Sequence, residues 1–201
     1  NVSKIEVESS GDHVKMKVAI ANYTGALSVK QKKTEEGSWN LLNITLEDSK
    51  VKELHIDSKG GSTCSLDKKG TSEIETVEID GNSRVNLSVP VNQVNVTEQA
   101  EKAYVKLYND AKEVVVEGTK TEIMVSASAT VENAIVSGDN VKIYGHGTLE
   151  AAQITGEKAN VSTSGTAVEG ENDKTVPSTI ITSVPSRPIS TPSCSKRSMP
   201  T

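Results

Sequence analysis

The sequence contains no phenylalanine, and its 201 residues hold one tryptophan and four tyrosines. A thick core filled by aromatic rings is therefore excluded. The apolar residues, 34% of the chain, are mostly Val, Ile, Leu and Ala. Short aliphatics suit a thin core, and Val, Ile and Thr favour strands. Cysteine is scarce: Cys64 lies in an alternating stretch and Cys194 in a Pro/Ser/Thr tail. Their spacing fits no metal or redox motif, so two unpaired thiols are expected, one of them filling the core. No apolar run approaches ~18 residues, so no transmembrane segment is expected. An excess of positive charge is missing too. The net charge is −5 with both signs interspersed, which argues against nucleic acid as a partner. The first residue is Asn1, which fits a mature secreted protein or a fragment.

What the sequence has in abundance is repetition. "VENAIVSGDNVKIYGHGT" at 131–148 is followed at once by "LEAAQITGEKANVSTSGT" at 149–166. The first half of each unit reads apolar-x-x-apolar-x-apolar. The same pattern occurs at Val51/Leu54/Ile56, Ile74/Val77/Ile79, Val91/Val94/Val96 and Ala111/Val114/Val116, and at Val2/Ile5/Val7. An apolar-polar-apolar triplet follows in several units, as in Val14-Lys15-Met16, Val85-Asn86-Leu87, Val105-Lys106-Leu107, Val141-Lys142-Ile143 and Ala159-Asn160-Val161. Gly81, Gly118, Gly138 and Gly156 each stand two residues after the last apolar position of a first half. Glycine at one fixed place suggests a corner with positive φ.

Short strands recurring about every 20 residues are a solenoid signature. One coil cannot bury its own apolar face, whereas stacked coils bury a continuous narrow core and pair equivalent strands in parallel. The expectation is an all-β, single-stranded parallel β-helix with coils of ~18–23 residues. Ala134, Val136, Val141 and Ile143 point inward, and Val136 lies over Ile154. An antiparallel β-sandwich is the alternative, since it also alternates. Residues 97–111 carry helical spacing as well as a strand triplet, and the strand is preferred. The organisation expected is irregular β coils or a cap over 1–50, the solenoid over 51–167, and a linker or tail over 168–201. Five of the six prolines lie between Pro177 and Pro200, and Ser and Thr supply twelve of the last 27 residues. That segment has little to bury.

These units resemble the imperfect β-helix repeats of secreted and S-layer-associated surface proteins of Gram-positive bacteria. The resemblance implies an extracellular protein, cell-surface or cell-wall associated, serving as a spacer, adhesive stalk or carbohydrate-binding scaffold. It implies no transferable active site.

Chemical motifs are sparse. His13, His55 and His146 are far apart in sequence and form no ligand motif. Carboxylates are mostly flanked by lysine, as in "LDKKG", which reads as a solvated surface. A calcium ladder would need repeated acidic ligands at each corner, so calcium is not expected. No catalytic, cofactor-binding or metal-binding residue is assigned, and no cofactor is expected. Tyr104, Tyr108 and Tyr144 are the candidate surface contacts for a ligand, because exposed aromatic rings commonly hold sugars. Tyr104 and Tyr144 are expected on one face, about two coils apart. Six Asn-x-Ser/Thr sequons begin at Asn1, Asn22, Asn43, Asn86, Asn95 and Asn160, and outward Asn-apolar-Thr alternation accounts for much of that number.

The functional expectation is a non-enzymatic extracellular structural or adhesive module, a spacer or ligand-presenting stalk. The alternative is a carbohydrate-active β-helix of lyase or hydrolase type, or a carbohydrate-binding module. Expected partners are cell-wall or host polysaccharide or a surface protein. Three or more carboxylates converging in one groove would favour the enzyme.

Overall fold

The structure is a computed structural model that describes residues 2–33, 36–164 and 167–170, with backbone only at 164 and 167–170. Cys194 and nearly all of the 168–201 tail lie outside the described residues. The fold is all-β and parallel, a solenoid of about seven turns averaging ~21 residues, with no helix among the described residues. The parallel β-helix expected from the repeats is what the chain forms, and the sandwich is excluded.

Two ladders run along the stack. The first joins β1 (Lys4–Ser10), β3 (Thr24–Lys32), β5 (Lys50–Ser58), β7 (Glu73–Ile79), β9 (Val91–Val96), β11 (Ala111–Val116) and β13 (Thr130–Val136). The second joins β2 (Lys15–Ala21), β4 (Leu41–Glu47), β6 (Thr63–Lys69), β8 (Arg84–Leu87), β10 (Tyr104–Leu107) and β12 (Glu122–Val125). The long β14 (Lys142–Ile154) belongs to both, turning from one ladder to the other at Gly145, whose φ is 134°. β15 (Asn160–Ser164) and β16 (Ala167–Gly170) pair with its two halves.

The apolar positions read from the sequence share one register. Val51, Ile74, Val91, Ala111, Val131 and Leu149 form one inward column. Val136 lies beside Ile154. Ala134, Val136, Val141 and Ile143 are buried, while Ser137 and Lys142 are exposed. Residues 97–111 contain the strand β10 and no helix; Ala103, Val105 and Leu107 are buried by strand alternation, and Ala100 is buried in the turn before it. The strands of residues 4–47 pair in the same two ladders, with Ile5 beside Leu27 and Met16 beside Leu42.

Two expectations are corrected. The five triplets are not all in phase. Met16, Leu42, Cys64, Val85, Val105, Ile123, Ile143 and Val161 form one column. The triplets at Val85 and Val105 begin on that column, whereas those at Val14, Val141 and Ala159 end on it. A period-2 strand with three inward positions permits both. The repeated glycines, moreover, do not have positive φ. They are needed for close approach between coils. A Cβ on Gly138 would stand 2.6 Å from the Gly118 carbonyl oxygen, and one on Gly118 would stand 2.6 Å from that of Ala100. The left-handed conformation falls two residues later, on Lys120 (φ 56°), Asn140 (φ 57°) and Lys158 (φ 57°).

The stack tapers. Leu27 pairs with Leu54, 27 residues on, whereas Ala134 pairs with Ala152, 18 residues on. β2, β4 and β6 have seven residues each, and β8, β10 and β12 have four. A longer coil encloses a wider section, and wider side chains fill it. Nine of the twelve largest fully buried side chains, among them Leu42, Ile44, Leu54 and Ile56, precede residue 80. Val and Ala take over beyond it.

Candidate ligand face

The outer face of the second ladder carries the aromatic residues. Strand alternation turns Thr63, Arg84, Tyr104, Glu122 and Lys142 outward in one column, with each residue beside the next in the adjoining coil. Two residues along each strand, Ser65, Asn86, Lys106, Met124 and Tyr144 form a second column. Tyr104 and Tyr144 therefore share a face, two coils apart. Their hydroxyls are 3.5 Å apart, and Tyr144 also donates to Glu122 Oε2 at 3.4 Å. The hydrogen bond with Tyr104, then burial, then the neighbouring Tyr104 and Glu122 charges hold the Tyr144 hydroxyl above its ordinary range. It stays a neutral donor.

Cations flank the Tyr104 ring. The Arg84 guanidinium carbon lies 5.0 Å from its centroid and Lys106 Nζ 5.6 Å, within reach for cation–π attraction. Tyr108 stands apart from this pair. It follows β10, is 40% exposed and turns the corner with its backbone N–H bonded to Leu87 O.

A groove of about 430 Å³ leads from Tyr104 toward the wide end. Gly61, Ser62 and Thr63 lie along it, Asn82, Arg84 and Lys102 flank it, and Trp39 closes its far end. Trp39 is 36% exposed and edge-packed on the His13 ring at 5.3 Å, with Lys15 Nζ 5.5 Å from its centroid. The register sets Trp39 and Tyr104 three coils apart, roughly 14 Å. The sequence reading missed Trp39 because it belongs to the stretch that breaks the 20-residue period. The signal available was the lone tryptophan standing just before the alternating stretch that forms β4.

Acid–base chemistry has little foothold on this face. Glu101 and Glu122 pair with Lys120 and Lys142 of the next coil at 3.1 and 3.2 Å. Elsewhere Glu8 meets Lys32 at 3.0 Å and Glu73 meets Lys50 at 2.8 Å. The hydrogen-bonding lysine in each case holds Glu8, Glu73 and Glu101 below the ordinary carboxylate range. A general acid needs the opposite shift. Among the described residues, the one tight group of three potential metal ligands is His55, Glu78 and Asp80 on the first ladder. It holds two carboxylates, short of the three converging in one groove that would favour an enzyme. Cys64 is fully buried, and burial pushes its thiol up to about 12. No family model, curated protein or solved structure matches the chain.

Proposed function

We propose that this chain is a non-enzymatic structural module, a short rod that spaces and presents ligand contacts outside the cell. The observation that carries the reading is the unbroken register of outward polar columns along the stack. Seven turns at ~4.8 Å give a rise of roughly 34 Å. Contacts repeated at that spacing suit an extended polymer better than a small molecule in a deep pocket. Placement at a Gram-positive surface rests on the resemblance of the repeat units.

A carbohydrate-binding role is the second reading, and the Trp39–Tyr104 groove favours it. Its ends are aromatic and its flanks carry the cations Arg84 and Lys102, so an anionic wall or host polysaccharide is the fitting ligand. The test combines turnover and binding. The chain should release no product from a polysaccharide panel, with or without calcium. Reproducible cleavage lost on changing one or two carboxylates would overturn the non-enzymatic reading. Retention on immobilised acidic polysaccharide that Trp39→Ala and Tyr104→Ala both abolish would establish the carbohydrate-binding role. Absence of retention would leave the spacer reading alone.

A further inference from the structure

We infer that His55, Glu78 and Asp80 form a divalent-cation site, of the first-row transition-metal class with Zn²⁺ as the fitting ion. The site lies on the first ladder, away from the aromatic face. Glu78 and Asp80 are two residues apart at the end of β7, so alternation turns both outward. His55 of β5 is in register with Glu78. The three side chains bring one nitrogen and two carboxylates to within 4.8 Å of one another.

Three observations separate this group from an ordinary surface cluster. First, Asp80 is oriented from behind: the Thr97 hydroxyl donates to Asp80 Oδ1 at 2.7 Å, leaving Oδ2 2.5 Å from His55 Nε2. A supporting hydrogen bond of this kind fixes a ligand carboxylate. Second, His55 pairs with Asp80, while Glu78 has no hydrogen-bond or ion-pair partner among the described residues. Two carboxylates thus converge with one imidazole, a charge that a dication would neutralise. Third, the next residue in the row after Glu78 is Asn95, whose buried Oδ1 lacks a hydrogen-bond partner. It is a fourth donor group, an oxygen, on the same row.

The donor set selects the ion. Calcium takes six to eight oxygens, more than this row supplies. An imidazole with two carboxylates suits zinc and its neighbours, with an open position for water. The His55–Asp80 contact would open to make room for the ion, which half-buried side chains on an outer strand face allow.

The test uses the full chain and ZnCl₂ alone. Calorimetry after chelator treatment should show one saturable equivalent per chain, with a raised Tm. In the unmodified chain, the ring NMR signals of His55 should move and those of His13 and His146 should not. His55→Gln and Glu78→Gln should abolish the saturable binding, while His13→Gln and His146→Gln leave it intact. Thr97→Val should weaken it by about 10–100-fold, the usual cost of losing a supporting partner. All variants alter outward side chains, and circular dichroism checks that they keep the fold. No saturable binding, shifts centred on another histidine, or calcium binding as tight as zinc and indifferent to His55→Gln would each overturn the site.

Discussion

The two ends of the stack close their coils by different means. In the wide coils, before residue 80, buried polar side chains do it. Ser49 donates to the Glu47 carbonyl at 2.8 Å, has the Ile20 carbonyl at 3.3 Å as an alternative acceptor, and accepts from the Tyr23 N–H. Ser58 donates to Gln31 Oε1 at 2.8 Å, and Asn40 bridges the Val14 N–H and the Lys32 carbonyl. Beyond residue 110, glycine backbone at Gly118, Gly138 and Gly156 does the same task by direct coil-on-coil approach. A wide section leaves room at the corner for a side chain that must satisfy backbone groups. A narrow section leaves less room, and there, among the described polar side chains, only the small Thr121 is buried at a corner, donating to the Ala100 carbonyl at 3.3 Å. Coil length, core residue size and corner chemistry therefore change together.

If that account holds, the largest loss should come from truncating the wide core. Leu54 is fully buried between Leu27 and Val77. Leu54→Ala should cost about 2–5 kcal/mol. Val114→Ala, at the equivalent place among Val94 and Ala134, should cost about 1.5 kcal/mol for its lost methyl groups. Urea unfolding midpoints compare the two. Equal losses would mean that the taper does not govern packing.

The wide end should also be the one that loosens in alkali. The buried Cys64 thiol stays neutral up to about pH 12, whereas an unfolded thiol ionises near 9.0. Its raised value contributes fully below pH 9 and fades as pH climbs toward 12, by about 1.4 kcal/mol per unit. At pH 11 the loss is about 3 kcal/mol. Cys64→Ala should flatten stability against pH over this window, measured relative to its own value at pH 8. An unchanged slope would show that water reaches the thiol.

At the narrow end the comparable defect is a methyl group in the wrong place. Gly138→Ala puts a Cβ against the Gly118 and Glu117 carbonyl oxygens, at 2.6 and 2.7 Å in the present backbone. Prising two coils apart should cost about 1–3 kcal/mol. Because each coil touches only its neighbours, hydrogen exchange should rise in β11, β13 and β14 first. A change spread evenly from β1 onward would argue against local stacking.

The contrast also explains which parts were legible in the sequence. From residue 51 onward the inward columns are apolar and four of the corners carry Gly, at Gly81, Gly118, Gly138 and Gly156, so period and register could be read. Before residue 50 the corners bury Gln31, Asn40 and Ser49, residues that polarity alone would place outside. The period is hidden there because polar groups sit inside. Positive φ was assigned to the glycines because sequence shows residue type and not how closely coils approach. Tyr104 and Tyr144 could be placed on one face by counting coils. The His55 group was not found, because it needs both the outward register of His55 with Glu78 and the placing of Asp80 beyond the strand end. Trp39 was passed over for the same reason as its surroundings.

The smallest expected effect lies at the left-handed corners, and it separates residue type from backbone geometry. Asn140 and Lys158 occupy equivalent places with φ of 57° and are both exposed. The left-handed region costs an ordinary L-residue about 1–2 kcal/mol, while asparagine tolerates it better. Glycine removes that strain and adds about 0.5–1 kcal/mol of unfolded-chain entropy. Lys158→Gly should therefore gain up to about 1 kcal/mol, and Asn140→Gly should change little or lose slightly. Paired thermal melts at one pH would resolve the difference. If both substitutions destabilise alike, the corner is held by side-chain contacts, and the narrow coils would prove closer in kind to the wide ones.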